Sequence, residues 1–185
     1  GSEPNNEGYI DTLPYIKALS QLSFVKSVEG VSYCPGMIKR EEDIQGIILE
    51  GVTQNYDWGA IKTSLLVGNL PTQHPQVLIS ERLSKMLKVE LNDDLLLYFV
   101  IDNNVRLRKM RVCGIYSLQF EEYDKTYLFT TKDVVNSLKG WPQEASSLYI
   151  VNYNNHTEKQ MNKRRNIIID EIYNNIRPND PALNV

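Results

Sequence analysis

The sequence predicts an α+β fold made of two interleaved subdomains, and three observations support this class. Apolar residues at helical spacing lie near both ends of the chain, whereas alternating or continuous apolar runs between them indicate strands. A strand that leads directly into a helix is predicted over residues 77–89. Two strands joined by a short Asp/Asn turn are predicted over residues 95–112, which is the clearest local pattern in the chain.

The first part of the chain predicts one helix and one β-hairpin. Residues 11–22 have apolar side chains at helical spacing, which predicts a helix with one buried stripe made of Leu13, Ile16, Leu19 and Leu22. Residues 25–38 alternate in the manner of a strand, and 44–52 form a second strand after a polar turn at 41–43. These two strands should pair in an antiparallel hairpin.

The middle of the chain predicts a series of strands and short helices. A Gly/Asn/Pro break at 68–71 precedes the 77–89 unit, in which Ser80 is available as the helix N-cap. Strands at 95–101 and 105–112 flank the turn at 102–104. A strand at 126–130 leads into a helix at 131–138, which Thr131 could cap. The aromatic side chains expected in the core are Tyr98, Phe99, Tyr127 and Phe129.

The last part predicts a strand at 147–153 and a helix at 157–176, whose apolar positions include Met161, Ile168, Ile172 and Ile176. Because the block from 54 to 144 has its own strands and helices, it should form a compact insertion. We therefore predict one subdomain from residues 9–53 together with 145–178, and a second, β-rich subdomain from residues 54–144.

Composition excludes several function classes. The 185 residues are 42% apolar, enough for a sizeable core, and the formal net charge of −3 argues against a nucleic-acid surface. Strand alternation should send Arg106 and Arg108 to one face and Lys109 and Arg111 to the other, so that the four do not form one patch. No apolar run reaches the roughly 18 residues of a membrane span.

The sequence has no catalytic constellation, so we predict neither an enzyme nor a site for a cofactor or metal. His74 and His156 lie apart in polar loops, and Ser80 has no nucleophile-elbow motif around it. Acidic pairs and triplets lie in turns without calcium-loop spacing, and no glycine-rich phosphate loop is present. Cys34 and Cys113 are expected to be buried, unpaired thiols. Phe120 and Tyr123, flanked by acids in a predicted loop, are candidates for an exposed pair that contacts a partner.

The order of motifs resembles the extracytoplasmic domain of LolC/LolE-type permeases, within the ABC transporter superfamily that contains MacB and FtsX. That family has a G-V-x-L-x-G-V strand, a G-x-L break, a strand–helix unit, a G-D turn and a later V-x-G-I-F/Y strand. An acidic-Tyr-Asp segment follows. The matching residues here are 46–52, 68–70, 77–89, Asn92 with Asp93, 112–116 and 121–124. Asn92 replaces the usual Gly, and Asn tolerates the same left-handed turn conformation.

The resemblance implies a periplasmic domain of an inner-membrane protein, flanked by transmembrane helices and divided into Porter-like (9–53 plus 145–178) and Sabre-like (54–144) parts. It implies partnership with an ATPase subunit and a second permease subunit, coupling ATP-driven motion to lipoprotein release or export. In LolC-like subunits a longer loop recruits a lipoprotein carrier, and no such insertion occurs at Asp102, Asn103 and Asn104. These residues are candidate partner contacts in a more LolE-like domain.

Two alternatives stay open at this point. The chain could be the periplasmic domain of a MacB-like exporter that works with an adaptor protein. It could also be a free-standing binding protein or small enzyme that shares only the fold, since a fold alone does not specify function. Flanking hydrophobic segments in the gene product would separate the second alternative from the permease interpretations.

Overall fold

The computed structural model describes residues 9–11, 13–118, 121–154, 158–172 and 174 of the chain. Its helices are α1 (Leu13–Leu19), α2 (Ala60–Thr63), α3 (Glu81–Leu87), α4 (Glu121–Thr126), α5 (Lys132–Lys139) and α6 (Glu158–Glu171). Its strands are β1 (Ile10–Asp11), β2 (Val25–Arg40), β3 (Asp43–Val52), β4 (Leu65–Gly68), β5 (Gln76–Ser80), β6 (Asp94–Ile101), β7 (Asn104–Tyr116), β8 (Tyr127–Thr131), β9 (Ala145–Ser146) and β10 (Leu148–Tyr153). This mixture confirms the predicted α+β class.

The described residues form two compact units, one within Gly1–Gly30 and Glu144–Val185 and one in Val31–Gln143. The predicted division has a different first boundary, because it assigned residues 31–53 to the subdomain that contains the chain ends. In the structure, these residues pack with the inserted block. The Porter-like and Sabre-like division stays a prediction.

The first unit is held together by an aromatic and aliphatic cluster. Tyr15 and Leu19 of α1 pack with Ile168 of α6, with Ile172 directly after that helix, and with the start of β2. The ring of Tyr15 stacks on Tyr149 of β10 with centroids 4.5 Å apart. β1 pairs antiparallel with β9, and the Tyr149 hydroxyl donates to the Asp11 carbonyl at 2.7 Å.

The second unit is built on a closed ring of six strands. β2 pairs antiparallel with β3, β3 runs parallel to β8, and β8 pairs with β5. β5 runs parallel to β7, β7 pairs antiparallel with β6, and β6 returns to β2 through Met37↔Tyr98 and Ile38↔Leu97. β4 adds to the ring on β7. Closure removes most exposed sheet edges, so the strands bury one face around a common core.

The core of the second unit follows from strand alternation. Inward residues of β6 and β7, such as Leu97, Phe99 and Met110, are fully buried, and α5 contributes Val134, Val135 and Leu138 to the same cluster. Phe99 and Phe129 confirm the predicted core aromatics, whereas Tyr98 and Tyr127 are only half-buried. Tyr98 departs from the prediction because its position in the alternation places it on the outer face.

The residues predicted to cap helices are partly confirmed. Ser80 caps α3 as predicted, because its hydroxyl accepts from the Leu83 amide at 3.1 Å. Thr131 occupies the N-cap position of α5 but makes no capping bond with its side chain. The turn that contains Asn92 forms with a φ of 71° at this residue, the left-handed conformation expected there.

The terminal helices differ from the prediction. α1 covers seven residues rather than 11–22, since Asp11 pairs in a strand and its carboxylate accepts from the Leu13 amide at 3.3 Å. Leu13 is exposed, and Tyr15 takes a buried position in its place. In α6, Ile168 is buried as predicted but Met161 is exposed. Ile176 lies outside the described residues.

Gly36 should be required for ring closure. A Cβ atom there would lie 2.6 Å from the Phe99 ring and 2.7 Å from the Tyr98 carbonyl, whereas a Cβ at Gly46 would meet nothing within 4 Å. We expect Gly36→Ala to lower the free energy of unfolding by about 1–3 kcal/mol through overpacking, and Gly46→Ala to change it little. Urea denaturation measures both, and equal effects of the two substitutions would contradict this explanation.

Glu50 should make stability depend on pH. Burial raises the pKa of its carboxyl to about 7, although the Tyr33 hydroxyl donates to it at 3.4 Å. The folded protein therefore holds this proton more tightly than the unfolded chain, so the stabilisation is complete below about pH 4.5 and is lost as pH rises through about 7. In the wild type the free energy of unfolding should fall by about 3 kcal/mol as pH rises from about 4.5 to about 7. Glu50→Gln should abolish this fall.

Unfolding in urea at several pH values measures this difference. The exposed Glu42→Gln variant is the control. If the unfolding free energies of wild type and Glu50→Gln stay parallel from pH 5 to pH 8, Glu50 does not carry the effect.

Candidate partner-binding surface

The predicted contact residues Asp102, Asn103 and Asn104 lie together at the exposed tip of the β6–β7 hairpin. Asp102 and Asn103 have φ values of 51° and 60°, and positive φ at both central residues is typical of a type I′ turn. The side-chain amide nitrogen of Asn104 donates to the Asp102 carbonyl at 2.9 Å and helps to close the turn. The hairpin therefore ends in a short polar tip.

The second predicted pair is Phe120 and Tyr123, and the structure gives the position of one of them. Phe120 lies outside the described residues. Tyr123 lies in α4 rather than in the predicted loop, which corrects that prediction. Glu121 and Glu122 begin α4. Acidic residues are favoured in the first turn of a helix, so the acidic residues that suggested a loop are also compatible with a helix.

One face of the hairpin is apolar and exposed, and sequence analysis missed it. Leu96 and Val100 of β6 alternate with buried residues, and cross-strand register places Val105 of β7 opposite Val100 and Leu107 opposite Tyr98. The exposed fractions are 65% for Val100, 67% for Val105 and 49% for Leu107. A period-2 count carried across both strands would have placed these side chains on the face opposite Phe99.

The apolar face extends onto the neighbouring strand of the ring. Met37 of β2 is the register partner of Tyr98 and is 40% exposed. We call the set the hairpin face, and its six members are Met37, Leu96, Tyr98, Val100, Val105 and Leu107. A contiguous group of exposed apolar residues is typical of an interaction site, unlike single exposed apolar residues.

The charges of the β6–β7 hairpin as a whole are predominantly positive. Between Asp94 and Arg111 the sequence has four basic side chains and two carboxylates. Asp94 binds Lys109 and Arg111, each at 3.3 Å, and its hydrogen bonds with Lys109 and then Arg111 lower the pKa of its carboxyl. Since two cations share one carboxylate, this group keeps a formal positive charge.

The other two cations lie on the opposite side of the strand, in agreement with the predicted alternation. Arg106 is the register partner of the buried Phe99, and its guanidinium donates to the Leu138 carbonyl at 2.6 Å. Arg106 therefore supports the end of α5. Lys109 and Arg111 are the basic groups on the side of the hairpin face.

A cavity of about 400 Å³ lies where the parallel strands β3 and β8 end. It is lined by residues 52–54, 71–74, 131–133 and 143, which include the exposed His74. Within the described ranges, no group of three or more His, Cys, Asp or Glu side chains could hold a metal ion. Cys34 is buried and Cys113 half-buried, and both are free thiols.

The part of the chain that the structure describes contains no helix both long and apolar enough to cross a membrane.

Comparisons with known proteins identify the fold. No protein-family model matches the sequence, and no curated protein matches it. Among solved structures, the periplasmic region of MacB from Actinobacillus actinomycetemcomitans matches with a TM-score of 0.60 and 16% identity, covering 89% of this chain and 75% of that one. The chain has the fold of the MacB periplasmic region.

Two further structures share this MacB-type fold. The extracellular domain of the noncanonic ABC-type transporter YknZ from Gram-positive bacteria matches with a TM-score of 0.59 and 15% identity, covering 85% of this chain and 79% of that one. A domain from Porphyromonas gingivalis described as belonging to a permease matches with a TM-score of 0.52 and 10% identity, covering 92% and 74%. These likenesses agree with the permease-type fold expected from the motifs, and they do not separate LolC/LolE-type from other members.

The polar tip of this MacB-type domain should tolerate substitution unequally. Asn103 is in the left-handed region, which a β-branched residue adopts only with strain, whereas Asn104 begins a strand. We expect Asn103→Val to lower the free energy of unfolding by about 1–2 kcal/mol, and Asn104→Val to have a smaller effect. Thermal or urea unfolding checks this order, and a larger loss from Asn104→Val would be inconsistent with the turn geometry.

Proposed function

We propose that this chain is the extracytoplasmic domain of an ABC transporter permease subunit. The observation that carries the proposal is the fold shared with the MacB and YknZ domains over 85–89% of the chain. In this role the domain lies outside the cytoplasmic membrane, in the periplasm of a Gram-negative cell. Its partners are an ATPase subunit and a second permease subunit.

The finer part of the proposal is a role in lipoprotein release, with MacB-like export through an adaptor protein as the second candidate. The turn at Asp102 and Asn103 supports a LolE-like form of the first role, because it joins β6 and β7 without an inserted loop. A carrier-recruiting loop would need extra residues at this position. We therefore propose that the tip and Tyr123 contact another transporter component, and that a lipoprotein carrier binds weakly at most.

The domain contributes no chemistry to this function and acts mechanically. ATP hydrolysis belongs to a separate ATPase subunit or to a part of the protein outside these 185 residues, since they contain no phosphate-binding loop. The closed six-strand ring with its packed core is a stiff element, because interiors at crystal-like density do not deform continuously. Such an element transmits a displacement of attached segments to whatever binds its surface.

Cysteine labelling in intact cells of the source bacterium tests the location. Asp102→Cys in the full-length gene product places an exposed thiol at the hairpin tip. We expect a membrane-impermeant maleimide that passes the outer envelope to label this variant without lysis. The two native thiols of these 185 residues give little background, because burial raises the pKa of Cys34 and raises that of Cys113 to about 11.

The control is a cysteine placed on the cytoplasmic ATPase subunit, which should react only after lysis. Co-purification of that ATPase with the full-length product is the second measurement. Labelling of Asp102→Cys only after lysis would overturn the extracytoplasmic assignment, and a full-length product that stays in the soluble fraction would favour a free-standing binding protein.

A further inference from the structure

The hairpin face is an exposed apolar surface that the fold does not use for its own core. Its inward neighbours, Leu97 and Phe99, are fully buried and complete the ring interior. The outward residues Val100, Val105 and Leu107 are each about half exposed or more. We propose that the hairpin face binds an acidic amphipathic helix of another polypeptide.

The dimensions of the face suit a helix. Met37, Tyr98 and Leu107 form one row across β2, β6 and β7, and the pair Val100 and Val105 begins the next row. Rows on one face of a sheet lie about 7 Å apart, and three strands span about 10 Å. An amphipathic helix is about 10 Å wide, so one apolar stripe covers both rows.

Gly46 extends the first row as a depression rather than a ridge. It is the register partner of Met37 on β3, and the space above its Cα is open. A large apolar side chain of the bound helix can enter this space beside Met37. The row therefore offers an anchoring position at its end.

Charge determines which amphipathic helix fits. Lys109 and Arg111 share the single carboxylate of Asp94 at the border of the face, which leaves a formal excess of one positive charge there in a chain with a net charge of −3. Glutamates on the flank of a bound helix would meet this excess. Opposite charges at such a border accelerate association and select the partner more than they add affinity.

The same observations disfavour two other occupants. A second copy of the chain would place two like-charged hairpins against each other, which opposes association. A lipid bilayer would have to receive Asp102, Asn103 and Asn104, because these polar residues project at the tip beyond Val100 and Val105. Placing them in hydrocarbon is costly.

The test uses the 185-residue chain and two synthetic peptides. Both are amphipathic helices of about five turns with leucine on one face, and the polar face has glutamate in the first and lysine in the second. Fluorescence anisotropy measures binding. We expect the glutamate peptide to bind and the lysine peptide to bind at least about tenfold more weakly, with affinity for the first falling as salt is added.

Two variants locate the binding. The double substitution Val105→Ser with Leu107→Ser should weaken binding of the glutamate peptide by about tenfold or more, since the peptide contacts the apolar hairpin face. Leu13→Ser is the control, because Leu13 is also exposed but lies in the other unit. Unfolding in urea confirms that both variants fold. Lys109→Gln should lower affinity and reduce its salt dependence.

Four results would overturn the inference. They are equal binding of both peptides, no binding of the glutamate peptide, concentration-dependent dimerisation that the Val105 and Leu107 substitutions abolish, and sedimentation with anionic phospholipid vesicles that the same substitutions abolish. The inference does not rest on the permease proposal. Peptide binding is measured on the isolated chain, whereas labelling and ATPase co-purification test location and assembly, so each can fail alone.

Discussion

Closure of the six-strand ring is the constraint on which the rest of the second unit depends. β2 and β6 close the ring through only two residue pairs, so few backbone hydrogen bonds hold this seam. Close packing of side chains must supply the rest of the stability of this seam. Gly36 makes this possible, because the Phe99 ring occupies the space that any larger residue would fill. At the seam, the absence of a side chain at Gly36 therefore makes room for the large buried ring of Phe99.

Closure also fixes which side chains face solvent. In a ring, every strand must present one face to the interior, so a shift of one residue would expose the core residues of that strand. Phe99 and Leu97 thus require Val100 and Tyr98 to point outward. β6 has apolar residues at nearly every position, which lets it fill the core and still present an apolar outer surface.

The sequence allowed prediction of features that depend on neighbouring residues. The β6–β7 hairpin, the β2–β3 hairpin and the Ser80 cap all arise from local patterns and were correct. The insertion of β8 between β3 and β5, and the return of β6 to β2, join segments distant in sequence, and no local pattern signals them. The predicted bounds of α1 are wrong for the same reason, because β1 pairs with the distant β9. The hairpin face was missed since Tyr98 was assigned to the core by residue type rather than by register.

Stability alone does not explain the composition of the hairpin face. Val100 and Val105 form a cross-strand pair next to the turn, and β-branched pairs at such positions stabilise a hairpin by a few tenths of a kcal/mol up to about 1 kcal/mol. This argument does not extend to Leu96, Leu107 and Met37, which lack β-branching and would be replaceable by threonine at little cost to the strand. Exposed apolar residues of this kind carry an aggregation hazard, which the nearby Lys109 and Arg111 reduce. A surface that combines this hazard with flanking charge is best explained by a partner that covers it.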